Sequence, residues 1–422
     1  MVHAREETAV EKKRLGRFLL ASALGAGFCF GAGPLAFGQS VKVEFPAKPD
    51  PTELPEIWPE QAGVSSDPLI KLSQWIRAQK YDIRSLVIVK DGKIVFERYS
   101  DGLTRDKNYE LYSVTKALVG LLAGDLIDEG NIRLDSSVKD VVGAYRPDLK
   151  DDVADKGNIT LRNVLTMTTG LHYDFNPPND PIYYEAPDRL KLAATTTTLL
   201  QPGKVFQYMD VNPILATAML SQAAGEKLED YADAKVFKPL GMKHYAWTRA
   251  DKKGLVSGGW GLRLRPVDMA RLGMLALQGG KWDGKQIAPA GWIKQMTTGQ
   301  STRFFGYYWW VNNILEGGME GDGQPEFDAG GFKGQNIVVL PKYNAVVTMT
   351  SIMSPAGGLR DAQHLQTLRY MMTEYILPAL AAKRSTPTEA QKNALVDELQ
   401  LAEDSKGVPG FALDPYNTDV PQ

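Results

Sequence analysis

An α+β fold is the expectation: an antiparallel sheet built from both ends of the chain, flanked by helices, with a mostly helical inserted part. Three observations lead there. Two β-rich runs, "SLVIV" and "KIVFERY", flank Asp91-Gly92, and Asp-Gly between such runs is a strong hairpin signal. A second pair, "QNIVVL" and "AVVTMTSI", is joined by Pro341-Lys342-Tyr343-Asn344 near the other end. Between the pairs the apolar residues recur at helical spacing. Hairpins make the sheet antiparallel, and the junction between sheet and insertion is a natural place for a ligand.

The elements follow in order. Lys12, Lys13, Arg14 and Arg17 precede an apolar run from Phe18 to Leu35, and Ala36-Phe37-Gly38 closes it. That layout reads as a signal peptide over 1–38, so the chain is expected to be exported, periplasmic or secreted, with an uncleaved membrane anchor as the alternative. The single cysteine, Cys29, falls inside it, which leaves no thiol for a disulfide or a nucleophile afterwards. A proline-rich lead-in occupies 39–56. A domain follows over 57–380, its sheet drawn from about 57–110 and 255–380 and its helical part from about 111–254. Helices are expected at Thr115–Glu129, Leu161–Met167, Pro213–Ala224, Leu228–Val236, Pro266–Leu277, Pro289–Met296, Asp361–Leu380 and Glu389–Leu401. Residues 381–422 read as a polar tail. The 422 residues are 43% hydrophobic and 23% charged with a formal net charge of −2. Nothing in that balance recommends a nucleic acid or an anionic membrane as partner.

Within "ELYSVTKALVG", Ser113 and Lys116 lie one turn apart. The helix that follows, "ALVGLLAGDLI", is apolar on nearly every face and so is expected to be buried, with Gly120 and Gly124 permitting close packing. A lysine at the amino end of such a helix loses water and feels a positive helix dipole. Both effects favour the neutral amine, which can take a serine proton. The plain alternative is a capping serine with a snorkelling lysine. A second match, Ser136 to Lys139, lies in the polar stretch "NIRLDSSVKDVVG" and reads as a turn with a solvated lysine.

A histidine-based triad has little support. The four histidines are His3, His172, His244 and His364, and no Gly-x-Ser-x-Gly elbow accompanies them. His172, in "TTGLHYDF", follows a helix end and reads first as a local hydrogen-bonding residue, with a place on the cleft wall as the alternative. Their scatter gives no metal-ligand spacing, and no cofactor motif is present. A serine–lysine pair needs a second proton handler instead. Tyr208 in "QPGKVFQYMDVNP" is the candidate, with core packing as its alternative.

Taken in order, "LYSVTKALVG", "VLTMTTGLHYD", "PGKVFQYMDVN", "GGWGLRLRPVDMARLGMLALQGGKWDGKQIAPAGWI" and "GGFKGQNIVVLP" resemble the serine β-lactamase and penicillin-binding-protein superfamily. The likeness runs from about Ile57 to Leu380. It is strongest to the class C-like branch, which includes esterases and 6-aminohexanoate-dimer hydrolases. The resemblance implies a β-lactamase/transpeptidase-like fold and no cofactor or metal. It implies that Ser113 forms an acyl-enzyme while Lys116 and Tyr208 handle protons. The backbone N–H groups of Ser113 and Phe332 would form the oxyanion hole.

Two positions depart from the family pattern. Asp210 stands where the tyrosine motif has asparagine, and Ala329-Gly330-Gly331 replaces Lys-Thr-Gly or His-Thr-Gly. Without a cation at that place, recognition of β-lactam carboxylates is weakened. Asp210, His172, Tyr307, Trp309, Gly331 and Lys333 are carried as substrate-binding candidates; the aromatic stretch Phe304–Asn313 is read as part core and part cleft wall. The leading expectation is an exported hydrolase of a small-molecule ester or amide. A D,D-peptidase or weak β-lactamase on the same fold is the second, and a non-catalytic binding protein the third.

Overall fold

The computed structural model describes residues 43–173, 181–184, 186–248, 250–315, 325–353 and 360–408. The leader expected at 1–38 lies outside them. Helix α1 (Ser66–Gln79) leads into strands β1 (Ile83–Lys90) and β2 (Lys93–Tyr99). Between the strands Asp91 and Gly92 take φ of 51° and 77°, the doubly left-handed pair that a two-residue hairpin of right-handed twist requires.

The late part of the chain contributes β3 (Trp310–Val311), β4 (Phe327–Gly331), β5 (Gln335–Leu340) and β6 (Ala345–Ser351). The strands order as β3-β4-β5-β6-β1-β2, every pairing antiparallel. β1 therefore sits between its own hairpin partner and a strand from the far end of the chain, as the sequence predicts. Successive residues Leu86, Val87, Ile88 and Val89 are all buried. A strand whose alternate side chains are all buried is covered on both faces.

The insertion carries α2 (Thr115–Asp128) and α3 (Val211–Ala224), both buried along most of their length. Trp292 closes on α2: its indole donates to the Gly120 carbonyl at 2.8 Å, and a Cβ on Gly124 would overlap its ring. Gly120 meets the Tyr307 carbonyl in the same way. These two glycines thus serve close packing, as expected. Helix α4 (Pro266–Leu277) lies across β1, β5 and β6, and Gly273 brings its backbone down onto Ile337 and Val346.

The end of the chain, read from the sequence as a polar tail, docked or loose, with a helix at Glu389–Leu401, is docked. Residues 389–403 form α5 (Glu389–Glu403), capped by Thr388, and it docks on α1 and β2. Leu395, Leu399 and Ala402 are buried, and Glu398 accepts from Arg77 Nε and Nη2 at 2.9 and 2.7 Å. The three apolar residues recur at helical spacing, so the amphipathic signal was present within a polar composition. The lead-in is tied down as well: Glu53, 8% exposed, pairs with Arg265 and Arg271 on the α4 side.

Candidate active site

Ser113 sits in a single tight turn, Tyr112–Val114, that feeds directly into α2. Tyr112 holds φ at 47°, a left-handed conformation uncommon for a bulky residue. It redirects the chain so that the serine emerges at the helix mouth. The next strand over, β4, presses against this turn, because Gly331 has no Cβ to overlap the Leu111 carbonyl. The Tyr112 and Phe332 rings meet edge-on at 5.5 Å.

Lys116 follows one turn later and is 2% exposed. Its Nζ donates to Ser113 Oγ at 3.0 Å and to the Gly259 carbonyl at 3.1 Å. It also pairs with Asp210 Oδ1 at 2.6 Å. Gly259 reaches this position because it lacks a side chain; a Cβ there would come within 2.9 Å of Asp210 Oδ1.

Tyr208 approaches from an irregular segment held to the backbone of Met167 and Thr168. Gln207 N donates to the Met167 carbonyl at 2.8 Å, and Gly203 N to the Thr168 carbonyl at 2.7 Å. The tyrosine is 38% exposed, but its hydroxyl end interacts with both Ser113 and Lys116, with Lys116 Nζ 4.9 Å from the ring centroid. Burial, then the Asp210 charge, push this hydroxyl up; Lys116 and the bond to Ser113 draw it back, and the net direction is upward.

The charge state of Lys116 departs from the sequence expectation. Burial does push the amine toward neutrality and is the largest single effect, yet Asp210 and Tyr208 outweigh it and the pKa is raised. Apolar packing around α2 is legible in a sequence. A carboxylate arriving from a segment far along the chain is not. Lys116 is therefore an ammonium, an assignment that its three oxygen neighbours also favour.

The substrate-binding candidates separate. Asp210 faces inward: its Oδ1 is ion-paired with Lys116 and its Oδ2 accepts a short hydrogen bond from the Tyr183 hydroxyl. Tyr307 and Trp309 are core residues, against the expectation that they line the cleft. Tyr307 stacks on Trp292 at 4.7 Å and accepts from Arg162, and Trp309 packs edge-on against Phe327 at 5.4 Å. The residue between them, Tyr308, is left-handed at φ 65°, which breaks strand alternation and leaves half-buried Trp310 beside the site. Trp310 stacks on Tyr208 with centroids 5.7 Å apart and planes 18° from parallel. Lys333 is also turned inward, 4% exposed, with its Nζ 5.4 Å from the Tyr112 ring centroid. It shares a small cavity with Arg84 and Glu110. Its own backbone is left-handed at φ 65°, which takes it out of the strand's alternation. His172 is exposed on a two-residue strand paired with Thr197. The decoy behaves as expected: Ser136 accepts from Arg133 N and Lys139 is exposed. The sequence reading missed Gly259 and Tyr183, and held Trp310 only as part of the aromatic stretch Phe304–Asn313. The glycine pair in "SGGW" was the one available sign of a close backbone approach.

Comparison with known proteins bears on this arrangement. A family model described as beta-lactamase matches residues 77–368. A 6-aminohexanoate-dimer hydrolase of Paenarthrobacter ureafaciens is 24% identical over 295 residues, covering 63% of this chain and 72% of that protein. A Salmonella agona protein with the provisional name D-alanyl-D-alanine carboxypeptidase is 30% identical over 216 residues. That alignment takes in 44% of this chain and 49% of the relative, so the chain spans about half the relative's length. Among solved structures, a Bacillus anthracis protein provisionally named 6-aminohexanoate-dimer hydrolase superposes with a TM-score of 0.62. It is 19% identical, over 77% of this chain and 88% of that one, and shares the fold.

Proposed function

This chain belongs to the beta-lactamase family, and from that membership we propose that it is an exported serine hydrolase cleaving a small-molecule ester or amide through an acyl-enzyme on Ser113. The observation that carries the reading is the 3.0 Å contact between Lys116 Nζ and Ser113 Oγ, with the Tyr208 side chain beside Lys116. A serine hydroxyl is a weak nucleophile until a neighbour takes its proton. Here two proton-exchanging groups meet it at the end of a buried helix.

Ser113 Oγ attacks the substrate carbonyl, its proton passing into the Lys116–Tyr208 pair. The oxyanion would be received by the backbone N–H groups of Ser113 and Phe332; the close approach of Gly331 to the Leu111 carbonyl, beside the Ser113 turn, is consistent with that role. The same pair protonates the leaving group and then draws a proton from the water that releases the acyl group.

The substrate class rests on charge. Lys333 is the cation closest in sequence to the late strand motif, and it is buried with its Nζ 5.4 Å from the Tyr112 ring centroid, in a cavity shared with Arg84 and Glu110. A charge-assisted contact to a substrate carboxylate contributes about 1.5–3 kcal/mol, one to two powers of ten in selectivity at about 1.4 kcal/mol per tenfold. Short-chain aryl esters are therefore expected to outrun penicillins, cephalosporins and D-Ala-D-Ala peptides. The test is kcat/KM for p-nitrophenyl butyrate against nitrocefin, with mass spectrometry after fluorophosphonate treatment. One adduct, on Ser113, is expected; full activity in Ser113→Ala would overturn the assignment.

A further inference from the structure

We propose that Asp210 acts through Lys116 as a proton store, taking one proton from the lysine as the lysine takes one from Ser113. The inference rests on the acyl-enzyme reading above and adds to it a third proton site.

The difficulty it resolves is geometric. Lys116 Nζ has three oxygens around it: Asp210 Oδ1 at 2.6 Å, Ser113 Oγ at 3.0 Å and the Gly259 carbonyl at 3.1 Å. The contact with Asp210 is an ion pair, which calls for the ammonium form. As an ammonium, hydrogen-bonded to Ser113 and the Gly259 carbonyl and ion-paired with Asp210, Lys116 has no lone pair for the serine. Asp210 offers the shortest of the contacts, so it is the place where a proton can go. Tyr183 on the far side holds the second carboxylate oxygen, fixing the orientation of the first. The titratable groups facing this pair are Tyr208, Tyr183 and Tyr308; the buried Tyr308 hydroxyl donates to the Val164 carbonyl at 3.1 Å. The raised pKa of Lys116 agrees with the ammonium assignment.

The step balances. Lys116 passes a proton to Asp210 Oδ1 and becomes an amine. The amine removes the Ser113 Oγ proton while Oγ bonds to the carbonyl carbon and the π pair moves to oxygen. At that point the oxyanion carries the negative charge, Lys116 is again an ammonium and Asp210 is a neutral acid. Collapse expels the alkoxide, which receives a proton relayed from Lys116 through the Tyr208 hydroxyl. Asp210 then returns its proton to Lys116, and the resting charges are restored.

The experiment is the pH profile of kcat/KM for p-nitrophenyl butyrate in wild type and Asp210→Asn, from about pH 6 to pH 10. Wild type should show a plateau, because the pair as a whole supplies the base. Asp210→Asn should lose at least about tenfold near neutral pH and then regain about tenfold per pH unit as Lys116 itself sheds its proton. A loss that is the same at every pH would mean a structural role only, and a variant as fast as wild type at neutral pH would make the carboxylate a brake; either overturns the proposal. Should the variant fail to fold, a proton inventory on wild type decides: two protons in flight give a curved dependence on deuterium fraction, and a linear one overturns it. If wild type yields no adduct on Ser113, the acyl-enzyme reading itself has failed; an adduct with a flat Asp210→Asn profile defeats the proton store alone.

Discussion

The Trp310 indole lies nearly parallel to the Tyr208 ring, 5.7 Å between centroids and 18° between planes. Tyr208 leaves an irregular segment with no regular secondary structure around it, so this stack, with Phe305 edge-on at 6.3 Å, sets the ring's direction. Stacked aromatic pairs contribute about 0.5–1.5 kcal/mol beyond burial. Trp310→Ala should lower kcat by about tenfold through a misplaced hydroxyl, and Trp310→Phe should recover most of it. A change confined to KM would assign Trp310 to substrate contact instead.

Lys116→Arg should be as damaging as Lys116→Ala, each costing about a hundredfold or more in kcat/KM. Arginine keeps the charge that pairs with Asp210 but does not give up a proton in a protein. An arginine variant retaining most of the rate would show that only the positive charge matters.

Asp328 on β4 is 2% exposed, and its pKa is pushed up to about 8 by burial and then by neighbouring Glu326, with a hydrogen bond from Asn313 opposing them. The folded value lies above the unfolded one, so its contribution to stability is greatest below about pH 4 and declines as pH rises toward 8. Asp328→Asn should remove that dependence. Its Tm should gain on wild type steadily across that window, and parallel Tm curves would refute the account.

Removing one partner of a fully buried ion pair costs about 3–5 kcal/mol. Arg77 keeps 28% of its side chain in water, so Glu398→Ala should destabilise by about 2 kcal/mol. Arg98, 1% exposed and near the same carboxylate, would lose a compensating charge as well. A lowered urea midpoint with unchanged slope is the expected result. No change would return α5 to the status of an appendage.

Short-range chemistry was the legible part of the sequence. Asp91-Gly92 announced its hairpin, and the helix from Pro266 to Leu277 begins and ends where its proline and apolar spacing place it. Ser113 and Lys116 were legible because a helix turn fixes their separation. What escaped was orientation set at long range. Two left-handed residues, Tyr308 and Lys333, upset the strand parity from which cleft contacts were inferred, exchanging Trp310 for Tyr307 and Trp309. Asp210 was noticed as a departure, but nothing local says that it reaches Lys116 rather than solvent. The helix at Glu389–Leu401 was legible from its spacing, whereas the polar composition of the terminal segment left open whether Leu395 and Leu399 dock.

The pairing of β1 with β6 sets Ile83 opposite Ser351, with more than half of the chain looped out between them. Closing a loop of that size has an entropic cost that local contacts cannot offset in advance, and folds dominated by such distant pairings form slowly. Ser113, Lys116, Tyr208 and Asp210 all lie on the looped-out part, whereas Gly331 arrives with the strands that close it. A chain still emerging from the ribosome therefore cannot hold an assembled reaction centre. Hydrolytic competence comes late, after the final strands have found the first, and every fragment ending before Ser351 should be inert.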